Sequence, residues 1–429
     1  MTDTMKVNPR SIILDALLEI NEKNEYTHRI MREVLRKYQY LPARDRSFIS
    51  RVTLGTVERK LTLDYLIDRV SKTPVCRMKP VIRNILRMGA YQLVYMDGTE
   101  DYAVCNEAVK LAAKRGFAGL KGFVNGVLRN LARTYRDISY PDLSIKYSTP
   151  RWLVEYWTAQ YGAEKTEEFL AAQYTDQPLW IRVNTAKTTP EALAAGLSAR
   201  GITVERDEEI PEAMTMRGYD YLEAIPEWNE GMFFVQDYAS MLVTHRAGVR
   251  EGMTVIDVCA APGGKCTHVA QKLQGTGLVI ARDVSEAKVA LIEENIERLG
   301  LDNIHTAVQD ATVLTPEMLG KADLVLADLP CSGLGILNKK PDIKYHANPA
   351  RCGELRELQR RILNTVSQYV KPGGTLMYST CTIVREENEE NAAWIAEKLG
   401  FTLLMQEQLL PGMNHSYDGF FMAALRKNE

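Results

Sequence analysis

The sequence predicts a multidomain chain. It comprises an all-α N-terminal domain (1–140), a small α+β linker domain (141–240) and a C-terminal α/β Rossmann-like domain (241–429). Three observations predict this division. Residues 1–135 read as all helix, with apolar residues at helical spacing. A strand-helix-strand order occupies 178–205. From about residue 250, short apolar strands alternate with helical stretches, the pattern of a doubly wound sheet.

In the first domain the helices are carried by RSIILDALLEI (10–20), LTLDYLIDRV (61–70), VIRNILRMGAYQLVYM (81–96) and NEAVKLAAKRG (106–116). Pro80 suits a first helical turn and Gly116 a C-terminal stop. Basic residues recur at helical spacing as well: Lys79, Arg83 and Arg87 in one stripe, Lys110 and Lys114 in a second, Arg129 and Arg133 in a third. Such stripes are ordinary wet faces or phosphate contacts. SYPDLSIKYSTP (139–150) reads as a linker, followed by an amphipathic helix, RWLVEYWTAQYG (151–162). PLWIRVNT (178–185) is then a strand, PEALAAGLSARG (190–201) a helix and ITVE (202–205) a strand. Arg182 and Asn184 share one strand face, where they either meet RNA or satisfy a sheet edge. In the third domain VIDVC, LVIARD, HTAVQD, LVLADLP and TLMYSTC are the strands, and GFFMAALRK (419–427) reads as a last, antiparallel one.

Composition narrows the function classes. At 45% hydrophobic and 25% charged, the chain is globular rather than disordered. The N-terminal MTDTMKVNPRS lacks a signal-peptide core, and no apolar run reaches the ~18 residues of a membrane span. Seven scattered cysteines, without CxxC pairs or His/Cys clusters, argue against both a disulfide framework and a metal site. Free thiols in the cytoplasm are expected, in a monomer. The formal charge of −2 conceals an asymmetry. Residues 1–140 hold 25 Lys and Arg against 15 Asp and Glu, the remainder 28 against 40. A basic module on an acidic body suggests a nucleic-acid footprint.

The chemistry gathers at strand ends, where open α/β sheets bind ligands. The loop CAAPGGK (259–265) joins a strand to a helix; Gly263 and Gly264 admit close backbone approach, and the helix start offers N–H groups to an anion. It is neither G-x-G-x-x-G nor a P-loop. Asp283 ends the next strand, where a ribose-binding carboxylate belongs, and Asp310 and Asp328 end the two after it. Two cysteines follow apolar strands: Cys331 in ADLPCSG and Cys381 in LMYSTCT.

Two resemblances add to this reading. RDRSFISRVTLGTVERK (44–60) and FVNGVLRNLAR (123–133) resemble the NusB-like helical RNA-binding domain. CAAPGGK, DLPCSG, KPDIKY (340–345) and STC, with the strand-end acids, closely resemble the NOL1/NOP2/Sun family of S-adenosylmethionine-dependent RNA cytosine-C5 methyltransferases. The likeness runs through YSTPRWLVEYW and FFVQDYAS (233–240) to DGFF (418–421). It implies that Cys259, Ala260, Ala261, Pro262, Gly263, Gly264 and Lys265 wrap the methionine end of S-adenosylmethionine. It also implies that Asp283 holds the ribose, that Asp310 contacts the adenine end and that Asp328 lies near the cofactor.

Carbon 5 of cytosine is a poor nucleophile, and a thiolate adding to carbon 6 activates it. Both Pro-Cys and Thr-Cys dipeptides are present, which is the RNA family's pattern. The resemblance makes Cys381 the nucleophile and Cys331 the helper in proton removal or product release. Asp328 holds the base through N3 and the amine, and donating to N3 would require it protonated. Lys265 supplies positive charge nearby or is a solvated first-turn lysine, and the lysines of NKKPDIKY either grip phosphate or are solvated. The implied substrate is 16S ribosomal RNA, free or in an assembling small subunit, at a cytosine of the 967 type. The alternatives are a tRNA cytosine-C5 methyltransferase and a non-catalytic assembly or antitermination factor.

Overall fold

The computed structural model describes residues 7–412 and 418–429; the first six residues of the N-terminal stretch read above lie outside them. The chain forms two compact units. One runs through Ala171 and also takes in Leu337–His346; the other comprises Ala172–Ile336 and Ala347–Glu429. No described helix is long and apolar enough to cross a membrane.

The first unit is helical, with Pro9–Glu22, Thr27–Lys37, Ala43–Glu58, Lys60–Val70, Pro80–Tyr95, Asp101–Lys114 and Lys121–Thr134 as its main helices. Their apolar stripes meet in one core around Ile13, Leu17, Ile49, Leu66, Ile85 and Leu128. Pro80 is the first residue of its helix, and Gly116 follows the end of another at φ +87°.

The Lys79–Arg83–Arg87 stripe is not a phosphate surface. Arg83 pairs with Glu22, and Arg87 Nε donates to Asp64 Oδ1 at 2.7 Å from a buried position. Arg83 and Arg87 thus meet acids on neighbouring helices, and only Lys79, just before the helix, is exposed. Lys110, Lys114, Arg129 and Arg133 are exposed. The 139–150 stretch is packed, not a free linker: Ser148 and Thr149 are buried, and Ser148 Oγ accepts from Leu61 N at 2.9 Å.

Leu337–His346 belongs to this helical unit although its sequence neighbours form the other one. Asp342 Oδ2 accepts from Thr27 N at 2.8 Å. The Tyr345 hydroxyl donates to Glu58 O and Ser148 O, and Lys60 Nζ lies 3.9 Å from the Tyr345 ring centre. Lys344, read above as a phosphate grip or a solvated lysine, is 1% exposed; Lys339 is on the surface.

The second unit holds two sheets. The strands are β1 (Leu179–Val183), β2 (Thr203–Arg206), β3 (Ala213–Arg217), β4 (Phe233–Val235), β5 (Thr254–Asp257), β6 (Leu278–Asp283), β7 (Ile304–Val308), β8 (Ala322–Asp328), β9 (Val370–Thr380), β10 (Phe401–Leu409) and β11 (Phe420–Lys427). The smaller sheet, ordered β2-β3-β1-β4, is antiparallel. The larger is ordered β10-β11-β9-β8-β5-β6-β7. Its segment from β9 to β7 is parallel, and β11 runs antiparallel to both β9 and β10. Parallel strands covered on both faces must be apolar throughout, which explains runs such as LVLA in β8. β10 was not among the strands read from sequence.

Arg182 and Asn184 do not face RNA. Both are fully buried. Arg182 donates to Gly264 O at 2.6 Å, to Thr267 Oγ1 at 2.9 Å and to Gln236 Oε1. Asn184 donates to Gly231 O and Leu299 O, each at 2.8 Å. The small sheet therefore braces the start of the helix Gly264–Lys272.

Candidate active site

The carboxyl ends of β5, β8 and β9, adjacent in the larger sheet, deliver the loop after Asp257, then Asp328 and Cys331, then Cys381. After β5 the chain turns through Cys259–Gly263, and Gly263 caps the next helix at φ +107°, a region other residues rarely adopt. The first N–H groups of that helix have no intrahelical acceptor. Ala261 N donates to Asp283 Oδ2 at 3.0 Å, tying the loop to the end of β6.

A cavity of about 240 Å³ opens at these strand ends. Its wall includes Cys259–Pro262, Gly264, Lys265, Asp328 and Cys381 from the residues chosen on sequence, and Ser240, Asp257, Asp418 and Phe420 besides. Asp283, 2% exposed, ends β6, and its Oδ1 accepts from Val284 N at 2.7 Å and Lys288 Nζ at 2.9 Å. Asp310 lies two residues past β7 and is exposed; its Oδ1 accepts from the hydroxyl and the N–H of Thr312, at 2.7 and 2.8 Å. Those bonds, the hydroxyl's foremost, hold its carboxyl below the usual range.

Lys265 is not a solvated lysine. It is 8% exposed, and its ammonium donates to Asp328 Oδ2 at 2.7 Å and Ser240 Oγ at 2.9 Å. Ser379 Oγ donates to Asp328 Oδ1 at 2.8 Å. Both neighbours donate, so Asp328 is set up as an acceptor. Behind them, burial pushes the Asp257 carboxyl up to about 7, against the pull of Lys265.

The two thiols meet. Cys331 Sγ and Cys381 Sγ are 3.3 Å apart. Its bond to Cys381, then burial, hold the Cys331 thiol well above its ordinary range. Either sulfur can be the donor of this contact. Asp257, Ser240 and Asp418 were missed. Asp257 sits inside VIDVC and Asp418 inside DGFF, both quoted motifs whose acids were given no role.

A family model described as 16S rRNA methyltransferase RsmB/F matches residues 247–426. A NusB family model matches 7–133, and a ferredoxin-like domain model of RsmF/B-like methyltransferases matches 149–219. The probable ribosomal RNA small subunit methyltransferase B of Bacillus subtilis (strain 168) is 34% identical, across 98% of this chain and 99% of that one. The chain belongs to the RsmB/F family. The ribosomal RNA small subunit methyltransferase B of Proteus mirabilis is another RsmB/F relative, 29% identical over 98% of this chain and 99% of its own. Among solved structures, PH0851 matches with a TM-score of 0.81 and 27% identity, covering 99% of this chain and 100% of its own. NSun6 from Pyrococcus horikoshii, solved with SFG, matches at 0.58 and 25% identity over 65% of this chain and 98% of its own.

The RsmB/F fold and the local chemistry agree on what the loop can hold. A helix start capped by a left-handed glycine suits a carboxylate. A buried strand-end acid with lone pairs to spare suits hydroxyl donors. These features fit the methionine and ribose ends of S-adenosylmethionine.

Proposed function

We propose that this RsmB/F chain methylates carbon 5 of a cytosine in 16S ribosomal RNA, of the 967 type, free or in an assembling small subunit. S-adenosylmethionine, when bound, supplies an electrophilic methyl group. The loop Cys259–Lys265 cradles its methionine end, Asp283 receives its ribose hydroxyls, and Asp310 lies toward the adenine. The observation that carries the reading is the pair of thiols, 3.3 Å apart at the ends of adjacent strands, with Cys381 on the cavity wall.

In this reading Cys381 bonds to carbon 6 and raises electron density at carbon 5. Asp328, fixed by Lys265 and Ser379, accepts from the exocyclic amine and orients the ring. Lys265 keeps positive charge beside that carboxylate. After methylation a water or hydroxide takes the carbon-5 proton, the freed electron pair restores the carbon 5–carbon 6 double bond, and the carbon–sulfur bond breaks with its pair returning to Cys381 as thiolate; Cys331, touching the departing sulfur, serves that half. The RNA presents its base unpaired or flipped, since the cavity takes in a ring and not a duplex. The helical unit, whose sequence carries the basic excess, docks the RNA.

The test is transfer of labelled methyl from S-adenosylmethionine to 16S RNA, with bisulfite mapping of the product. Cys381→Ala abolishes transfer, and Cys331→Ala leaves RNA covalently attached to the protein. If Cys381→Ala turned over while Cys331→Ala lost product and adduct alike, the roles would be reversed. Binding without turnover in the unaltered chain would make it an assembly factor, and modified tRNA in its place would move the substrate.

A further inference from the structure

Beneath the two thiols lies a polar cluster that the mechanism above does not use. Glu387 is wholly buried. Its Oε2 accepts from Ser332 N at 3.0 Å and from Gln359 Nε2 at 2.8 Å. The same Gln359 nitrogen donates to Pro330 O at 2.9 Å, so Gln359 and Glu387 grip the residues on either side of Cys331. Gln359 is itself held by Asn391, which donates to its Oε1 at 2.9 Å. Ser332 Oγ meets Thr382 Oγ1 at 2.7 Å.

The two thiol-bearing segments are not held alike. Cys381 follows β9 directly. Its carbonyl accepts from Gly335 N at 3.1 Å, and Asn388 Nδ2 donates to Thr382 O at 2.9 Å. It keeps these anchors without Glu387. Cys331 sits in a turn between backbone bonds at Leu329 and Gly335. Within that turn, Pro330 and Ser332 are anchored to Gln359, Glu387 and Thr382. A buried carboxyl is costly unless it is bonded. Glu387 Oε1 has no partner among the described residues. Burial lifts this acid above its ordinary range.

We propose that Glu387 is a positioning residue for Cys331, holding its thiol against Cys381 so that the methylated base is released. The inference rests on the two-thiol reading above and adds to it a residue that touches neither RNA nor cofactor. Removing the acceptor frees Ser332 N and lets the turn relax away from Cys381. A displacement near 1 Å at a reacting group costs roughly a hundredfold in rate. Bond formation by Cys381 keeps its own supports.

The experiment follows the full chain with 16S RNA and labelled S-adenosylmethionine, separating covalent protein–RNA adduct from released product in denaturing gels. Glu387→Leu is expected to form adduct at the unaltered rate and to release product roughly tenfold to a hundredfold more slowly, so adduct accumulates. Glu387→Gln keeps an acceptor oxygen and is expected to release normally. If Glu387→Leu does not fold, Gln359→Met tests the same clasp and is expected to accumulate adduct too. A merely structural role would depress adduct and product together, and that result would overturn the proposal, as would release at the unaltered rate in Glu387→Leu. If the unaltered chain made neither product nor adduct, the reading of the site would fail instead.

Discussion

His268 Nε2 lies 2.8 Å from Glu212 Oε1, and Lys272 Nζ lies 2.6 Å from the same oxygen. The histidine is 1% exposed. Burial first, then the charge of Arg182, lower its pKa to about 3, against the pull of Glu212. Desolvation alone would raise Glu212, but hydrogen bonds from His268 and Lys272 outweigh it and hold the acid below its ordinary range. Both folded values lie under their unfolded ones. Their stabilisation is therefore present above about pH 6.5 and is lost as pH falls, first through the histidine and then, below about 4.5, through the glutamate. Each proton taken up on unfolding costs about 1.4 kcal/mol per pH unit. Urea unfolding at pH 7.5, 6 and 5 is expected to show this fall, and His268→Gln to flatten it between 6.5 and 5. An unchanged slope in that variant would assign the acid limb elsewhere. None of this was legible in the sequence, where Glu212 and His268 stand 56 positions apart. Cys331 and Cys381 were legible because their flanking dipeptides and strand-end placement are local features; their 3.3 Å contact was not.

β1 was legible as a strand, and Arg182 and Asn184 as residues of one face. Period-two alternation says which residues point together and not which face is covered. The covering element is the helix Gly264–Lys272, about 80 residues downstream. Arg182→Met is expected to leave Gly264 O, Thr267 and Gln236 without their donor inside the fold. The expected cost is about 2–4 kcal/mol of stability, with weaker binding of S-adenosylmethionine because the helix start proposed to receive its carboxylate is no longer braced. Chemical unfolding and calorimetric titration with S-adenosylmethionine measure the two effects. β10 escaped the sequence reading for a related reason. Thr402, Leu403 and Leu404 are all exposed at the sheet edge, so its apolar residues do not alternate cleanly. The Lys79–Arg83–Arg87 stripe shows the converse: perfect helical spacing whose meaning depended on Glu22 and Asp64, residues on other helices.

Across the whole molecule, composition separated a basic helical part from an acidic remainder, and the motifs placed the chemistry in the remainder. What sequence order hid is that Leu337–His346, which begins six residues after Cys331, packs with the helices of the first unit. A chain reading that assigns each stretch to the domain around it has no signal for such a departure. Asp342 carries the test. Asp342→Ala leaves Thr27 N without its acceptor in a buried position, a loss of about 1–3 kcal/mol. The expected result is a lower melting temperature for the helical unit and faster amide exchange across 337–346, read by mass spectrometry on the full chain. Unchanged exchange there would show that Tyr345 and its partners Ser148 and Glu58 suffice to hold the segment. The same ten residues bear on how such a chain can be recombined. A crossover placed anywhere in 139–150 swaps the helices but leaves their own segment behind in the recipient. Exchange of helical modules between relatives is thereby restricted to donors whose Thr27, Ser148 and Glu58 equivalents accept the resident Asp342 and Tyr345. Leu337–His346 makes the two compact units a single heritable part.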